Sequence, residues 1–200
     1  MHWFTSDTHF GHTNIIRYNN RPYKSVDEMD RIIIDNINAL VKPDDTLWHL
    51  GDFCFGPRNP QAFYRKAEYY RDRINCNNIM LIWGNHDPDL YSYNKEYKDM
   101  AENFRRLFKS DYSLKTIMVE NQKIVLCHYA MKVWNKSHYG VWHLYGHSHG
   151  SLPDDPNSLS FDCGVDCHNY RPISFPEVSA IMAKKTFKPV DHHGKRDDEN

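Results

Sequence analysis

Short apolar runs alternate with amphipathic stretches along the first half of the chain. The runs MHWFTSD, DTLWHLGD and NNIMLIWGNHD each predict a β-strand that ends in polar residues. After the first run, Ser25 and Glu28 form a capping-box pattern at the start of a helix that Pro43 closes. A second helix is predicted over about residues 60–73, before the third run. The positions that share a buried face are Met29, Ile32, Ile33, Asn36, Ile37 and Leu40 in the first helix and Ala62, Phe63, Ala67 and Tyr70 in the second. This alternation of strands and helices is typical of a layered α/β fold.

The second half of the chain is richer in strand patterns. SLKTIMVE and KIVLCH predict a hairpin with its turn at Asn121-Gln122, and VWHLYGHSHG and SLSFDCG predict two further strands. Ser174 and Glu177 are expected to cap a last short helix that ends near Lys185. We therefore expect one domain over residues 1–185, and a disordered tail over residues 186–200, where the sequence is polar and lacks periodicity.

Composition narrows the class of protein. With 200 residues and 40% hydrophobic content, the chain suits one compact domain, and a net charge of -1 does not favour binding to nucleic acid or to an anionic membrane. Neither a signal peptide nor a stretch long enough to span a bilayer is evident. The five scattered cysteines indicate reduced thiols, so we expect a cytoplasmic location. The oligomeric state has no signature in the sequence.

Polar residues with metal-binding side chains gather at the ends of the predicted strands. Asp-x-His and His-x-His spacings let both side chains of a pair reach one site from extended backbone. Carboxylate, imidazole and amide ligands without thiolate suit divalent ions such as Mn²⁺, Fe²⁺, Co²⁺ or Zn²⁺. In the open α/β sheets, ligands collect at the carboxyl ends of strands. The candidate residues are Asp7, His9, Asp52, Asn85, His86, His128, His147 and His149.

The segments SDTHFGH, LGDF, GNHD, CHY and GHSH, in this order, resemble the motif series of the calcineurin-like metallophosphoesterases. The resemblance spans about residues 1–181, and HFGHTNIIRY and GVDCHNYRPIS are similar to a compact bacterial and phage-type branch. It implies an α/β fold, a layered β-sandwich of two mixed sheets flanked by helices, with a dinuclear metal site at the carboxyl ends of the strands.

The resemblance also implies a role for each motif residue. Asp7, His9, Asp52 and His149 would hold one ion, and Asp52, Asn85, His128 and His147 the other. Two divalent ions follow, with Mn²⁺ expected and Fe²⁺, Co²⁺, Ni²⁺ and Zn²⁺ as alternatives. A metal-bridging hydroxide would be the nucleophile, His86 the general acid, and Asp87 the residue that orients the His86 ring.

Other residues near the expected opening of the metal site allow two interpretations. His12, Arg17 and Arg21 are candidate substrate contacts, although His12 equally suits helix capping or packing, and surface arginines are commonly just solvated. Tyr129 is interpreted as a packing residue. His49 and His143 are interpreted as surface or turn histidines.

Three classes of function remain open. The expected one is a phosphodiesterase acting on a nucleotide, a cyclic nucleotide or another small phosphodiester. A second is a phosphomonoesterase, a phosphoprotein phosphatase or a nuclease, and the neutral charge counts against the nuclease. The third is a non-catalytic metal-bound interaction module. Retention of every motif ligand together with His86 argues against this third class.

Overall fold

The fold is described from a computed structural model that covers residues 1–88, 92–188 and 190. Within these residues, strands and α-helices alternate as far as β3, and strands dominate after α4. The strands are β1 His2–Thr5, β2 Thr46–His49, β3 Asn78–Ile82, β4 Ser110–Tyr112, β5 Leu114–Val119, β6 Gln122–Cys127, β7 Trp142–Tyr145, β8 Ser160–Asp162 and β9 Ile173–Ser174. The helices are α1 Thr13–Tyr18, α2 Val26–Leu40, α3 Pro60–Arg71, α4 Lys95–Arg105 and α5 Phe175–Met182.

The strands form two mixed sheets, as the resemblance implied. The first has the order β4-β3-β2-β1-β9, in which β1 to β4 are parallel and β9 is antiparallel. The second has the order β5-β6-β7-β8, in which only β5 is antiparallel. The carboxyl ends of the parallel strands in each sheet therefore meet at one edge.

Along the strands of the first sheet, successive apolar side chains belong to two different cores. Leu47 in β2 and Leu81 in β3 join a core built with α2, α3 and α4. Their neighbours Trp48 and Ile82 join a second core with Leu126 and other residues of the second sheet. Because successive side chains of a strand point to opposite faces, the first sheet lies between the helices and the second sheet. Burial on both faces keeps its register fixed.

The predicted helices form close to their expected bounds. Ser25 accepts a hydrogen bond from the Glu28 amide and starts α2, as the capping pattern predicted. The predicted face was only partly right: Ile32, Asn36 and Leu40 are partly buried, and Ile34, which was not predicted, is buried. In α3, Ala62 is exposed and the buried residues are Phe63, Ala67 and Tyr70. Helices α1 and α4 were not predicted, because α1 is only six residues long and α4 is mostly polar.

The predicted hairpin forms between β5 and β6, with its turn one residue earlier than expected. Glu120 adopts a φ of 52° and closes the connection. Helix α5 begins with the complete capping box of Ser174 and Glu177. The predicted tail lies mostly outside the described residues, but Thr186 and Lys188 donate backbone hydrogen bonds to residues 156 and 157. This part of the tail is therefore held against the preceding loop.

All five cysteines are free thiols, in line with the prediction of reduced cysteines. Across the described ranges, no helix has both the length and the apolarity needed to cross a membrane.

Candidate metal centre

The loops that follow the parallel strands are tied to one another by backbone hydrogen bonds. The Asp7 amide donates to the Gly51 carbonyl and the His9 amide donates to the Asp52 carbonyl, both at 3.0 Å. Across the second sheet, the Gly146 amide donates to the His128 carbonyl at 2.9 Å. These bonds fix the loops relative to each other, so side chains far apart in sequence meet at a defined geometry.

The four residues predicted for the first ion lie together. Nε2 of His9 is 3.5 Å from Oδ2 of Asp52, and Nε2 of His149 is 3.9 Å from Oδ1 of Asp7. The rings of His9 and His149 stack at 5.1 Å. One ligand atom each from Asp7, His9 and His149 lies within 4.8 Å of the others. This spacing is compatible with a common cation.

The residues predicted for the second ion also converge. Oδ1 of Asn85 is 3.0 Å from Nε2 of His128 and 2.8 Å from Nδ1 of His147. Nε2 of His128 is 3.6 Å from Oδ2 of Asp52, so this oxygen faces one histidine of each set. Asp7 also groups with Asp52 and His128 within 4.8 Å, which places both carboxylates between the two sets.

Hydrogen bonds from backbone groups aim the ligand atoms. The His147 amide donates to Oδ2 of Asp7 at 2.9 Å, and the His86 amide donates to Oδ1 of Asp52 at 2.8 Å. Each bond leaves the other carboxylate oxygen for the centre of the site. Nδ1 of His128 donates to the Leu50 carbonyl at 2.7 Å, which leaves a lone pair on Nε2 of the neutral ring.

The backbone at the site is strained. Asp7, His9, Asp52, His147 and His149 all have φ between 48° and 66°, in the left-handed region. This conformation costs a non-glycine residue roughly 1–2 kcal/mol. Such strain persists only where the surroundings over-determine it, and it is concentrated at functional sites. Neighbouring glycines allow the close approach.

At Gly146, an added Cβ would collide with the side chains of Ser6 and Asp7, and at Gly84 it would collide with Asp52.

Buried atoms without partners identify where a cation fits. Oδ1 of Asp7 and both ring nitrogens of His9 are buried and lack a hydrogen-bond partner. Burial and the neighbouring carboxylate of Asp52 raise the pKa of Asp7, whereas burial lowers the pKa of His9 and keeps its ring neutral. Buried polar groups are almost always satisfied. A divalent cation would satisfy Oδ1 of Asp7 and one ring nitrogen of His9, so the residues fit a metal site.

One residue of the site was missed from the sequence. Nδ1 of His149 donates to Oδ2 of Asp166 at 2.7 Å, which holds Nε2 towards Asp7. Burial alone would raise the pKa of Asp166, but its bonds with His149 and Arg21 outweigh burial and hold the pKa below its ordinary value. Asp166 lies in a 3₁₀ turn 17 residues after His149, where no local pattern reveals the contact.

Arg21 is committed to this network. It makes two 2.8 Å bonds to Asp166 and also donates to the carbonyl oxygens of Asp7 and Thr8. Its side chain is fully buried, so the guanidinium that was considered as a substrate contact instead fastens the loop after β1. Arg17 is exposed and lies over the Tyr18 ring.

Asp87 is buried and accepts from three backbone amides, those of Asp52, Phe53 and Gly84. Its described bonds tie the loops after β2 and β3 together and do not involve the imidazole of His86. The His86 side chain is exposed, and its ring centroid lies 5.2 Å from that of His9.

Several interpretations of single residues were wrong. His49 is buried with Nε2 3.0 Å from the Thr8 hydroxyl, and His143 is buried with Nδ1 bonded to the Val125 carbonyl. Neither is a surface or turn histidine, because each belongs to a strand or its end between packed layers. Tyr129 is 47% exposed, so it is not a buried packing residue, although its ring lies 4.8 Å from that of His147.

A layered α/β sandwich with carboxylate, imidazole and amide side chains at its strand ends has the architecture of a metal-dependent hydrolase. The family model described as calcineurin-like phosphoesterase matches residues 3–174, and the chain belongs to this family. It is accordingly an enzyme that hydrolyses phosphoester bonds. Members typically bind two divalent ions, which the clusters described above could hold.

Two relatives illustrate the range of similar sequences. The chain is 29% identical over 187 residues to the uncharacterized protein MJ1445 of Methanocaldococcus jannaschii, and this match covers 91% of each. It is 34% identical over 85 residues to the Gene 66 protein of Mycobacterium phage L5, which covers 42% of this chain and 39% of the phage protein. The resemblance to a compact branch that includes phage proteins is thus confirmed.

The fold is similar to that of the crystal structure of AQ665, a protein of unknown function from Aquifex aeolicus. The TM-score is 0.61 at 24% identity, with 90% of this chain and 98% of that chain covered. The likeness supports the fold described here.

We predict that Asp166→Asn weakens both the fold and the metal site. The free energy of unfolding in EDTA should fall by about 3–5 kcal/mol, because Arg21 then lies buried without an anion. Affinity for a divalent ion should fall roughly 10- to 100-fold, because the ring of His149 loses its charged partner. Urea unfolding and metal titration followed by elemental analysis measure the two effects.

Asp35→Asn is the matched control, since its side chain is 63% exposed in a surface pair with Arg31. It should change the unfolding free energy by less than about 0.5 kcal/mol and leave metal content intact. A normal unfolding midpoint and normal ion affinity in Asp166→Asn would show that Asp166 does not position His149.

Proposed function

We propose that this enzyme is a two-metal phosphodiesterase that acts on small phosphodiesters such as nucleotides or cyclic nucleotides. The observation that carries the proposal is the position of Oδ2 of Asp52, 3.5 Å from His9 and 3.6 Å from His128. A carboxylate oxygen placed between two sets of nitrogen and oxygen ligands suits a bridge between two cations, since a shared anion reduces their repulsion.

In this proposal, Asp7, His9, Asp52 and His149 hold the first ion, and Asp52, Asn85, His128 and His147 hold the second. Mn²⁺ is the expected metal, because mixed carboxylate and imidazole ligands without thiolate suit it. When bound, two such ions lower the pKa of water between them and stabilise charge on the phosphoryl oxygens.

His86 is proposed to donate a proton to the leaving oxygen. Its exposed ring lies 5.2 Å from the His9 ring, while its backbone amide is anchored on Asp52 at 2.8 Å. Asp87 supports this position through the backbone rather than the imidazole, because it accepts from the Gly84 amide at the start of GNHD and from the Asp52 amide in the loop after β2. The proposed acid, His86, is thereby held by the same loops that carry the proposed metal ligands Asp52 and Asn85.

His12 is proposed to donate a hydrogen bond to a phosphoryl oxygen. Nδ1 accepts a 2.9 Å bond from the Ile15 amide, so the proton of the neutral ring resides on Nε2. Burial lowers the pKa of His12, which favours that neutral form. The ring lies 5.6 Å from that of His9, next to the proposed first ion.

The proposed preference for a diester rests on how few arginine side chains in the described part of the chain are available near the metal site to bind a phosphate. A dianionic monoester calls for more cationic compensation than a monoanionic diester, and arginine is the usual source. Of the two arginines considered for this role, Arg21 is buried in its pair with Asp166 and Arg17 lies on the surface over Tyr18.

We predict that Asp52→Asn holds neither ion tightly, because an amide oxygen carries no charge to bridge two cations. His12→Ala should retain both ions and lose part of the rate at most. Elemental analysis of the purified proteins compares the two. Two tightly held ions in Asp52→Asn would exclude the bridging role.

We predict that His86→Ala keeps its ions and loses about 10²- to 10⁴-fold in kcat, the usual range for removal of a general acid. The loss should be smaller for bis-(4-nitrophenyl) phosphate, which releases a stable phenolate, than for a 2′,3′-cyclic nucleotide, which releases an alkoxide. His2→Ala is the control, since this histidine lies at the start of β1 and bonds to Trp48. Equal losses on both substrates would leave His86 without an acid role.

We predict a higher kcat/KM for bis-(4-nitrophenyl) phosphate than for 4-nitrophenyl phosphate at matched Mn²⁺ and pH. The comparison extends to 2′,3′- and 3′,5′-cyclic nucleotides as natural diesters. Clearly higher efficiency on the monoester would point to a phosphatase and would leave the proposed metal ligands unaffected. Absence of metal-dependent turnover on every diester would contradict the proposed function.

A further inference from the structure

A cavity of about 320 Å³ opens beside the metal centre. We call it the side cavity; it is lined by residues 11–14, residues 55–57 and Lys66 of α3. Ligand cavities in proteins range from roughly 300 to 1,000 Å³, so this space is large enough for one ring system. None of the proposed metal ligands lines it.

The side cavity is connected to the proposed chemistry through aromatic contacts. The Phe55 ring lies 4.1 Å from the His12 ring and 6.3 Å from the His86 ring, centroid to centroid. His12 in turn lies 5.6 Å from His9. An ester arm that leaves next to His86 therefore has the aromatic ring of Phe55 close by.

Phe55 presents an aromatic surface on a fixed backbone. It is 43% exposed, although its amide donates a 2.9 Å bond to the Phe10 carbonyl. The next residue, Gly56, is packed so closely on Phe63 that an added Cβ would lie 2.7 Å from that ring. Single exposed apolar residues are common on protein surfaces. An exposed ring that is held in place beside a catalytic site is instead suited to stacking.

The lining of the side cavity also supplies hydrogen-bond donors. Nζ of Lys66 donates to the Gly11 carbonyl at 3.1 Å, which uses one of its three protons. The amide of Gly11 is held by both carboxylate oxygens of Asp30, and Tyr70 donates to the same carboxylate. The lysine is therefore placed by a fixed wall, with donors left for a ligand.

We propose that the side cavity binds a planar heteroaromatic group, of the class of nucleobases, on the ester arm that leaves next to His86. The group stacks on Phe55, and its ring acceptors receive hydrogen bonds from Lys66. Stacking on an aromatic side chain tolerates different bases, because every base has a π-face. The inference rests on the proposed function for the direction of the leaving arm, but the binding itself requires no turnover.

Binding of adenosine and of ribose to the metal-free protein in EDTA tests the proposal, by saturation-transfer NMR titration. We expect adenosine to bind measurably, with the strongest transfer to the base protons, and ribose to bind at least about fivefold more weakly. Phe55→Leu should weaken adenosine binding about fivefold or more. Lys66→Met should weaken it as well, without changing the weak binding of ribose.

Tyr139→Leu is the matched control, since Tyr139 is an aromatic residue that is 76% exposed and lies outside the side cavity. It should bind adenosine like the unsubstituted protein, and thermal unfolding confirms that each variant is folded. Equal binding of adenosine and ribose, or unchanged adenosine binding in folded Phe55→Leu, would overturn the proposal. Adenosine binding without metal-dependent hydrolysis would overturn the proposed function alone.

Discussion

The carboxylates of Asp7 and Asp52 are buried close to each other. Burying two negative charges side by side costs free energy, and the groups at the strand ends are arranged around that cost. Burial raises the pKa of each, and the charge of Asp52 raises that of Asp7 further. Uncompensated buried charge is expensive, and cations compensate it. The site is thus incomplete as a set of protein groups alone, because burial lowers the pKa of His9 and this ring supplies no counter-charge.

Rigid strands make this arrangement possible. Parallel strands of both sheets end at the same edge, and the loops after them are joined by amide-to-carbonyl bonds such as that from Asp7 to Gly51. Five candidate ligands have left-handed backbone, and the strain is offset by the packing of the two cores behind them. Stability of the sandwich and geometry of the metal site are therefore coupled.

The strand ends could be predicted because their chemistry is local. A run such as LIWGNHD shows both the strand and its polar end, so Asn85 and His86 could be selected as candidate site residues from sequence. Asp166 could not be, because its contacts with Arg21 span 145 positions and depend on how the sheets meet. The burial of His143 was likewise missed, since polarity alone predicts exposure, whereas its ring donates to the Val125 carbonyl and accepts from the Met131 amide.

The loop after β1 carries candidate metal ligands and also lines the side cavity. One end carries Asp7 and His9, the middle forms a wall of the side cavity at His12, and Arg21 fastens the other end to Asp166. Changes to the backbone of this loop would therefore disturb both the candidate metal ligands and the wall of the side cavity. Phe55 lies on a separate segment and makes its exposed contact through a side chain. Substrate preference can therefore change at Phe55 while the ligands stay in place, which is the division expected when varied specificities share one metal site.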